Sequence, residues 1–389
     1  MDLTLSPDEE AFRDEVRAWL AEHVPTTPLP SMDTLKGFAA HRAWEATLAE
    51  ARLSVVSWPR ELGGRGASLV EWVLFEEEYY RAGAPGRVSQ NGIFLLAPVL
   101  FEHGTAAQQE RYLPSMATGE RIWAQCWSEP GSGSDLASLR STATRDDVRG
   151  GWLLNGQKTW SSRATYAHMG FGLFRSDPAA ERHRGLTYFL FPLDAEGVTV
   201  RPIAQLDGEP GFAEVFFDDV FVPDADVLGG VGDGWRVAMS TAGNERGLSL
   251  RSPGRFCAAA DRLVSLYAAA PDPRVGDRVA DAWIRAQAYR LYTWGTVTRL
   301  AAGGTASDQA GGAAGSVNKV FWSELDIDLH ETALDLLGAE SELASGWSDG
   351  HLFALAGPIY AGTNEIQRNI VAERILRLPK EQSPKEVRG

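Results

Sequence analysis

Residues 125–135 read Gln125-Cys126-Trp127-Ser128-Glu129-Pro130-Gly131-Ser132-Gly133-Ser134-Asp135, and residues 155–162 read Asn155-Gly156-Gln157-Lys158-Thr159-Trp160-Ser161-Ser162. The rest of the chain is organised around this stretch. Trp127 ends a short apolar run, as a strand entering a turn does. Pro130, Gly131 and Gly133 then force an irregular loop, and a glycine lets the backbone approach a ligand closely because it has no Cβ. Successive N–H groups in such a loop form an anion-binding nest. Ser128, Ser132 and Ser134 add hydroxyl donors. Trp152-Leu153-Leu154, Asn155-Gly156 and Lys158-Thr159-Trp160 read as a hairpin, since Asn-Gly between apolar runs is a strong turn signal. One reading is a β-domain with a Ser/Gly-rich surface loop and two core tryptophans. The other is a site for a flat aromatic ligand, with tryptophan on a face, serine at an edge and the nest on its phosphates.

Upstream, the texture is helical. Ser6 is a natural N-cap, Pro7 fits the first helical position and Glu9 completes a capping box, which predicts a helix over 6–24. Further helical patterns cover about 35–52, 68–81, 91–103 and 105–118, the last with Thr105 and Gln108 at capping-box spacing. Short β-type runs follow, from Trp123–Trp127 to Glu214–Val222, with turn residues between them. Such spacing predicts a small barrel or sandwich. Gly230-Val231-Gly232-Asp233-Gly234 then leads into long helical patterns over about 234–270, 274–302, 309–337 and 363–377. Pro253-Gly254 is expected to kink or break the first of these. Long helices with short connections predict an antiparallel four-helix bundle. The expected fold is thus α+β and multidomain: a helical domain at 1–121, a β-barrel or sandwich domain at 122–230, and a helical bundle at 231–389.

The 389 residues are too many for one core. A formal net charge of -15 argues against nucleic acid or an anionic membrane as the main partner. Among the 37 basic residues only Lys36, Lys158, Lys319, Lys380 and Lys385 are lysines. Cys126 and Cys257 lack metal-ligand spacing, as do the histidines, so no metal site is expected. The two cysteines fit a reducing cytoplasm. No apolar run reaches about 18 residues, so no membrane insertion is expected.

The loop, the second segment and the helical frame together resemble the acyl-CoA dehydrogenase family over nearly the whole chain. Trp127 to Asp135 is similar to its first signature and Asn155 to Ser162 to its FAD-contacting hairpin. Tyr360-Ala361-Gly362-Thr363-Asn364-Glu365-Ile366-Gln367-Arg368 resembles its C-terminal signature. The resemblance implies FAD as cofactor. Trp127 and Ser128 would meet the flavin edge, Ser162 would approach N5 and Trp160 would flank the ring. Gly133 and Ser134 would meet the pyrophosphate, and Thr363, with Glu365 nearby, the adenylate end. It further implies α,β-dehydrogenation of an acyl thioester, carried by CoA or by an acyl-carrier protein, within lipid metabolism. An electron-transfer flavoprotein would be the acceptor, and the assembly would be a homo- or hetero-oligomer built as a dimer of dimers.

Two departures stand out. Many members carry the catalytic glutamate where this chain has Ala361. Isovaleryl- and long-chain-type members place it on the first bundle helix, and Glu245 falls at that position here. On a helix, Glu245 shares a face with Gly234, Ala238, Thr241, Leu248 and Ser252, mostly small residues. No Lys or Arg stands three or four residues away. A solvated glutamate, or one paired with an arginine across the bundle, is the other reading. An Ala361 backbone N–H would still serve the enolate oxygen. The second departure is the family's Arg-x-x-Phe-Gly contact to FAD across a dimer interface. This chain has Pro271-Asp272-Pro273-Arg274-Val275-Gly276-Asp277-Arg278, so Arg274 and Arg278 are the candidates to stand in. Such losses fit bacterial members that work as heteromers. Two other function classes follow: an FAD-poor, non-catalytic partner subunit, and a flavin oxidase or monooxygenase on the same fold.

Overall fold

The computed structural model describes residues 3–246, 252–301 and 313–380; the side chains of 243–246 lie outside the described residues. The chain forms two units, one spanning Leu5–Ser252 and the other beginning at Pro253.

The first unit opens with helices whose starts are written locally. In α1 (Pro7–His23) the Ser6 side chain accepts from the Glu9 N–H and the Glu9 carboxylate accepts from the Ser6 N–H. The same reciprocal cap starts α3 (Leu69–Arg81) at Ser68 and Glu71 and α5 (Ala106–Ala117) at Thr105 and Gln108. Thr34 caps α2 (Leu35–Glu50). A π-helical turn, Asn91–Leu96, leads into α4 (Ala97–His103).

Eight strands follow: β1 (Trp123–Cys126), β2 (Thr142–Asp146), β3 (Gly151–Ser162), β4 (Met169–Arg175), β5 (Leu186–Pro192), β6 (Val198–Ile203), β7 (Phe212–Pro223) and β8 (Val227–Leu228). They form one sheet in the order β6-β7-β3-β2-β4-β5-β8, with β1 parallel to β4. The sheet curls without closing. Phe217 on β7 lies 5.0 Å from Phe174 on β4 and 5.1 Å from Phe191 on β5, although two strands separate β7 from β4. Phe217, Phe174, Phe189 and Phe191 fill the concave side with Leu154 and Val215. On the other face Trp123, Phe171 and Tyr188 pack with Leu100 and Tyr112 from the helices. Val237, Ala238 and Ala242 of α6 (Gly234–Arg246) join that same core.

The expected hairpin at Asn155-Gly156 is not formed. β3 runs straight through it, pairing with β2 on one side and β7 on the other. The type I′ turn that Asn-Gly favours needs positive φ at both central residues, and of the two Gly156 alone has it, at 135°. Asn155 is held extended by long-range bonds. Its Nδ2 donates to Asp219 Oδ1 (2.8 Å), and the Asp219 N–H donates to its Oδ1 (3.0 Å). The dipeptide instead makes a bulge, a register shift between Leu154 and Gly156. A Cβ on Gly156 would stand 2.3 Å from Ser141 Oγ and 2.8 Å from Ser141 Cα. Gly156→Ala is therefore expected to cost about 2 kcal/mol and lower the thermal midpoint. A circular dichroism melt checks this; an unchanged midpoint would show that the bulge accommodates a side chain.

In the second unit α7 (Pro253–Ala269), α8 (Gly276–Ala301) and α9 (Ala314–Leu337) pack around Phe256, Leu263, Tyr289, Trp322 and Leu329. The pattern expected over 234–270 is two helices, α6 and α7, with Pro253 as the first residue of the second. α10 (Gly346–Ala354), which no periodicity announced, and α11 (Asn364–Ile370) lean on α9. Among the described residues no helix is long and apolar enough to cross a membrane.

Candidate active site

The loop after β1 is pinned at several points. The Thr159 N–H donates to the Ser128 carbonyl (2.8 Å), joining the loop to β3. Glu129 and Ser132 exchange backbone bonds of 2.9 and 3.0 Å across a tight turn. Ser132 Oγ donates to the Asp135 carbonyl (2.7 Å), so this hydroxyl is spent inside the loop. The Glu129 carboxylate accepts from the Arg140 N–H (2.6 Å), the Ser141 N–H (2.9 Å) and Lys158 Nζ (2.8 Å). Lys158 is wholly buried, donates also to the Leu173 carbonyl (2.7 Å) and lies 4.7 Å from the Phe174 ring centre. Burial pushes the Glu129 carboxyl up. The Lys158 ammonium and the donated hydrogen bonds more than offset this, so Glu129 ionises below its ordinary range. Burial draws Lys158 below its ordinary value against the pull of Glu129. Both residues lie in the two quoted stretches, and nothing local in the sequence marks them as a pair.

Around this clamp the positions named from sequence fall as follows. Trp127 is buried, edge-on to Tyr188, and its Nε1 has no acceptor among the described residues. Ser128 and Ser162 are half-buried, and Ser134 is exposed. A Cβ on Gly131 or Gly133 would meet nothing within 4 Å, so open space fronts both. Trp160 sits at φ 59°, is 59% exposed and stands edge-on to Phe212. Its register against β7 shifts between Lys158 and Ser161, which turns this side chain outward. Cys126 is buried and its thiol is pushed up to about 11 by burial, which makes it a packing residue.

In the second unit Ala361 (φ 56°) and Gly362 (φ 77°) form a left-handed turn before α11. Thr363 Oγ1 accepts from the Ile366 N–H (3.3 Å) and caps that helix. Its exposed neighbour Glu365 is held below the usual carboxylate range by its own N–H and the Thr363 hydroxyl. Arg274 forks onto Asp272 at 2.6–3.1 Å, and Arg278 meets Asp335 at 2.5 Å. Both candidate stand-ins are thus engaged within the chain. Glu245 is on the last turn of α6, and its side chain lies outside the described residues. Among the described residues no cluster of His, Cys, Asp and Glu could hold a metal ion.

Three family models match in sequence: the acyl-CoA dehydrogenase N-terminal domain over residues 6–120, the middle domain over 124–220 and the C-terminal domain over 232–376. The acyl-CoA dehydrogenase IpdE1 of Mycobacterium tuberculosis is 42% identical over 391 residues, covering 96% of this chain and 99% of that protein. Among solved structures, the Tcur3481-Tcur3483 steroid ACAD is similar at a TM-score of 0.84 and 26% identity, covering 98% of this chain and 100% of that one. The ChsE4-ChsE5 complex from Mycobacterium tuberculosis is similar at 0.83 and 27%, with 98% and 100% covered. The chain belongs to the acyl-CoA dehydrogenase family, a family of flavin-dependent oxidoreductases.

Proposed function

We propose that this protein is an FAD-dependent dehydrogenase that converts an acyl-CoA thioester to its 2-enoyl thioester. The observation that carries the reading is the loop 127–135. A buried ion pair clamps it to β3, its glycines front open space, and Trp127 keeps a buried donor without an acceptor among the described residues. That donor set suits a flat ligand with phosphates. In this reading Trp127, Ser128, Trp160 and Ser162 hold the ring end of FAD, Gly133 and Ser134 its pyrophosphate, and Thr363 and Glu365 its adenylate end.

FAD, when bound, supplies the acceptor for the two electrons that leave with the β-hydrogen. Glu245 takes the α-proton. A thioester α-proton is a very weak acid, so the carbonyl oxygen must be met by a preorganised donor as it becomes an enolate. The Ala361 N–H is that donor, and Ala361 offers no carboxylate of its own. A carboxylate closed in beside an apolar acyl chain is a stronger base than one in water. An electron-transfer flavoprotein collects the electrons, in the cytoplasm. The assembly is a homo- or hetero-oligomer built as a dimer of dimers, and the engagement of Arg274 by Asp272 and of Arg278 by Asp335 favours the heteromer. Similarity to the ChsE4-ChsE5 complex supports this.

The test is anaerobic mixing of the FAD-loaded protein with straight-chain and ring-bearing acyl-CoA thioesters. At least one is expected to bleach the flavin and lose two hydrogens by mass. A colourless protein that no thioester changes would favour the partner-subunit reading, and oxygen uptake at turnover rate an oxidase. Trp160→Ala should weaken FAD binding roughly 3- to 10-fold, the worth of one aromatic contact, read by flavin fluorescence titration. An unchanged affinity would remove Trp160 from the site.

A further inference from the structure

We propose that Lys319 and Gln367 are positioning residues for the dehydrogenation, acting through the turn Ala361-Gly362. The inference rests on the proposed function, in which the Ala361 N–H holds the thioester carbonyl oxygen. Ala361 at φ 56° followed by Gly362 at φ 77° is a strained arrangement for the alanine, and such backbone persists only where its surroundings over-determine it. Gln367 supplies one constraint. It is wholly buried, and its Nε2 donates to the carbonyls of both Ala361 (3.1 Å) and Gly362 (3.2 Å). Its Oε1 is buried with no donor among the described residues, so the amide is committed to the turn through its nitrogen. A Cβ on Gly362 would stand 2.4 Å from that Nε2, so only glycine lets the amide sit there.

Lys319 supplies the second constraint from α9. Asn364, the residue after the cap, is 3% exposed. Its N–H donates to the Pro358 carbonyl (2.8 Å), closing the loop that contains the turn. Its Oδ1 accepts from Lys319 Nζ (2.8 Å) and Ser323 Oγ (3.1 Å). Lys319 is 0% exposed, and burying an ammonium is costly. An apolar side chain of the same length would fill the space without that cost. The hydrogen bond from Lys319 holds Asn364, and with it the loop from Pro358 and the direction of the Ala361 N–H. Neither the Ala361 nor the Gly362 N–H has a backbone acceptor among the described residues.

Acetoacetyl-CoA separates positioning from folding. Its α-proton is acidic enough that the bound molecule titrates between ketone and enolate, and the midpoint reports how well the oxygen is held. Lys319→Met and Gln367→Met are each expected to raise that midpoint by about 1–2 units and lower kcat by about 10- to 10²-fold, the effect of slight misplacement. KM and FAD content should stay within about threefold of wild type, since neither residue is given a binding contact. If wild type neither enolises acetoacetyl-CoA nor is bleached by any thioester, the proposed function fails. If wild type does both and the Met variants share its midpoint, the positioning role is overturned. Should Lys319→Met not fold, Gln367→Met decides alone; if neither folds, both residues are folding elements and the proposal falls.

Discussion

Glu245→Gln is expected to leave the protein yellow and to slow flavin reduction by an acyl-CoA roughly 10²–10⁴-fold, the usual contribution of a positioned general base. The exchange keeps shape and removes only the basic oxygen. Three observations motivate it. Ala361 stands where many members of the family carry their glutamate, and a methyl group takes no proton. Glu245 is on the last turn of α6, where the resemblance to isovaleryl-type members implies the base. One turn earlier on its face, Ala238 and Thr241 are wholly buried, and the Thr241 hydroxyl donates to the Val237 carbonyl (3.2 Å) and lies 3.3 Å from Tyr188 Oη. That packing holds α6 against β5 as far as Thr241, one turn before Glu245. Ala361→Glu in the Glu245→Gln background should recover part of the rate, because a carboxylate at that position serves the same proton elsewhere in the family. Rapid-mixing absorbance measures the step. A wild-type bleaching rate in Glu245→Gln would make Glu245 structural and move the function to another base or to an inactive subunit.

The parts of the fold legible in the sequence are those whose cause is local. Ser6 and Glu9, and Thr105 and Gln108, start helices because each bond closes within three residues. Pro253 opens α7 because the first helical position needs no N–H donor. The misread element had a distant cause. Asn155-Gly156 carries a local hairpin signal, but Asn155 is held by Asp219, 64 residues away, and the strand runs on. α10 is nine residues and rests on a serine-serine cap, too short to show a period. The supports of the site were equally hidden, for Lys158 meets Glu129 across 29 residues and Lys319 meets Asn364 across 45. One signal was available. In a chain whose cations are nearly all arginine, two of its few lysines are wholly buried. A compact ammonium fits where a planar guanidinium does not, so a rare lysine inside a motif marks a buried pair.

Lys158→Met is expected to destabilise the first unit by about 3–5 kcal/mol, because it strands the Glu129 carboxylate without its cation in a buried setting. Glu129→Gln should cost a comparable amount, since it leaves a wholly buried ammonium without its counter-charge. The double variant should be milder than either single change, because a neutral pair carries no desolvation penalty. Both single variants should also lose FAD, as the clamp joins the loop 127–135 to β3 and positions Ser128 beside Thr159. The pH dependence follows from the Glu129 carboxyl, which ionises below its ordinary value of 4.5 when folded. The stability it contributes is full above that value and fades as pH falls through the lower folded one. Acid unfolding of wild type should therefore be steeper than that of Glu129→Gln in the range below about 4.5, where only wild type has this proton to take up. Thermal melts of the FAD-free proteins across that range measure both effects. A Lys158→Met protein that melts with wild type and keeps its FAD would show that the loop stands without the ion pair.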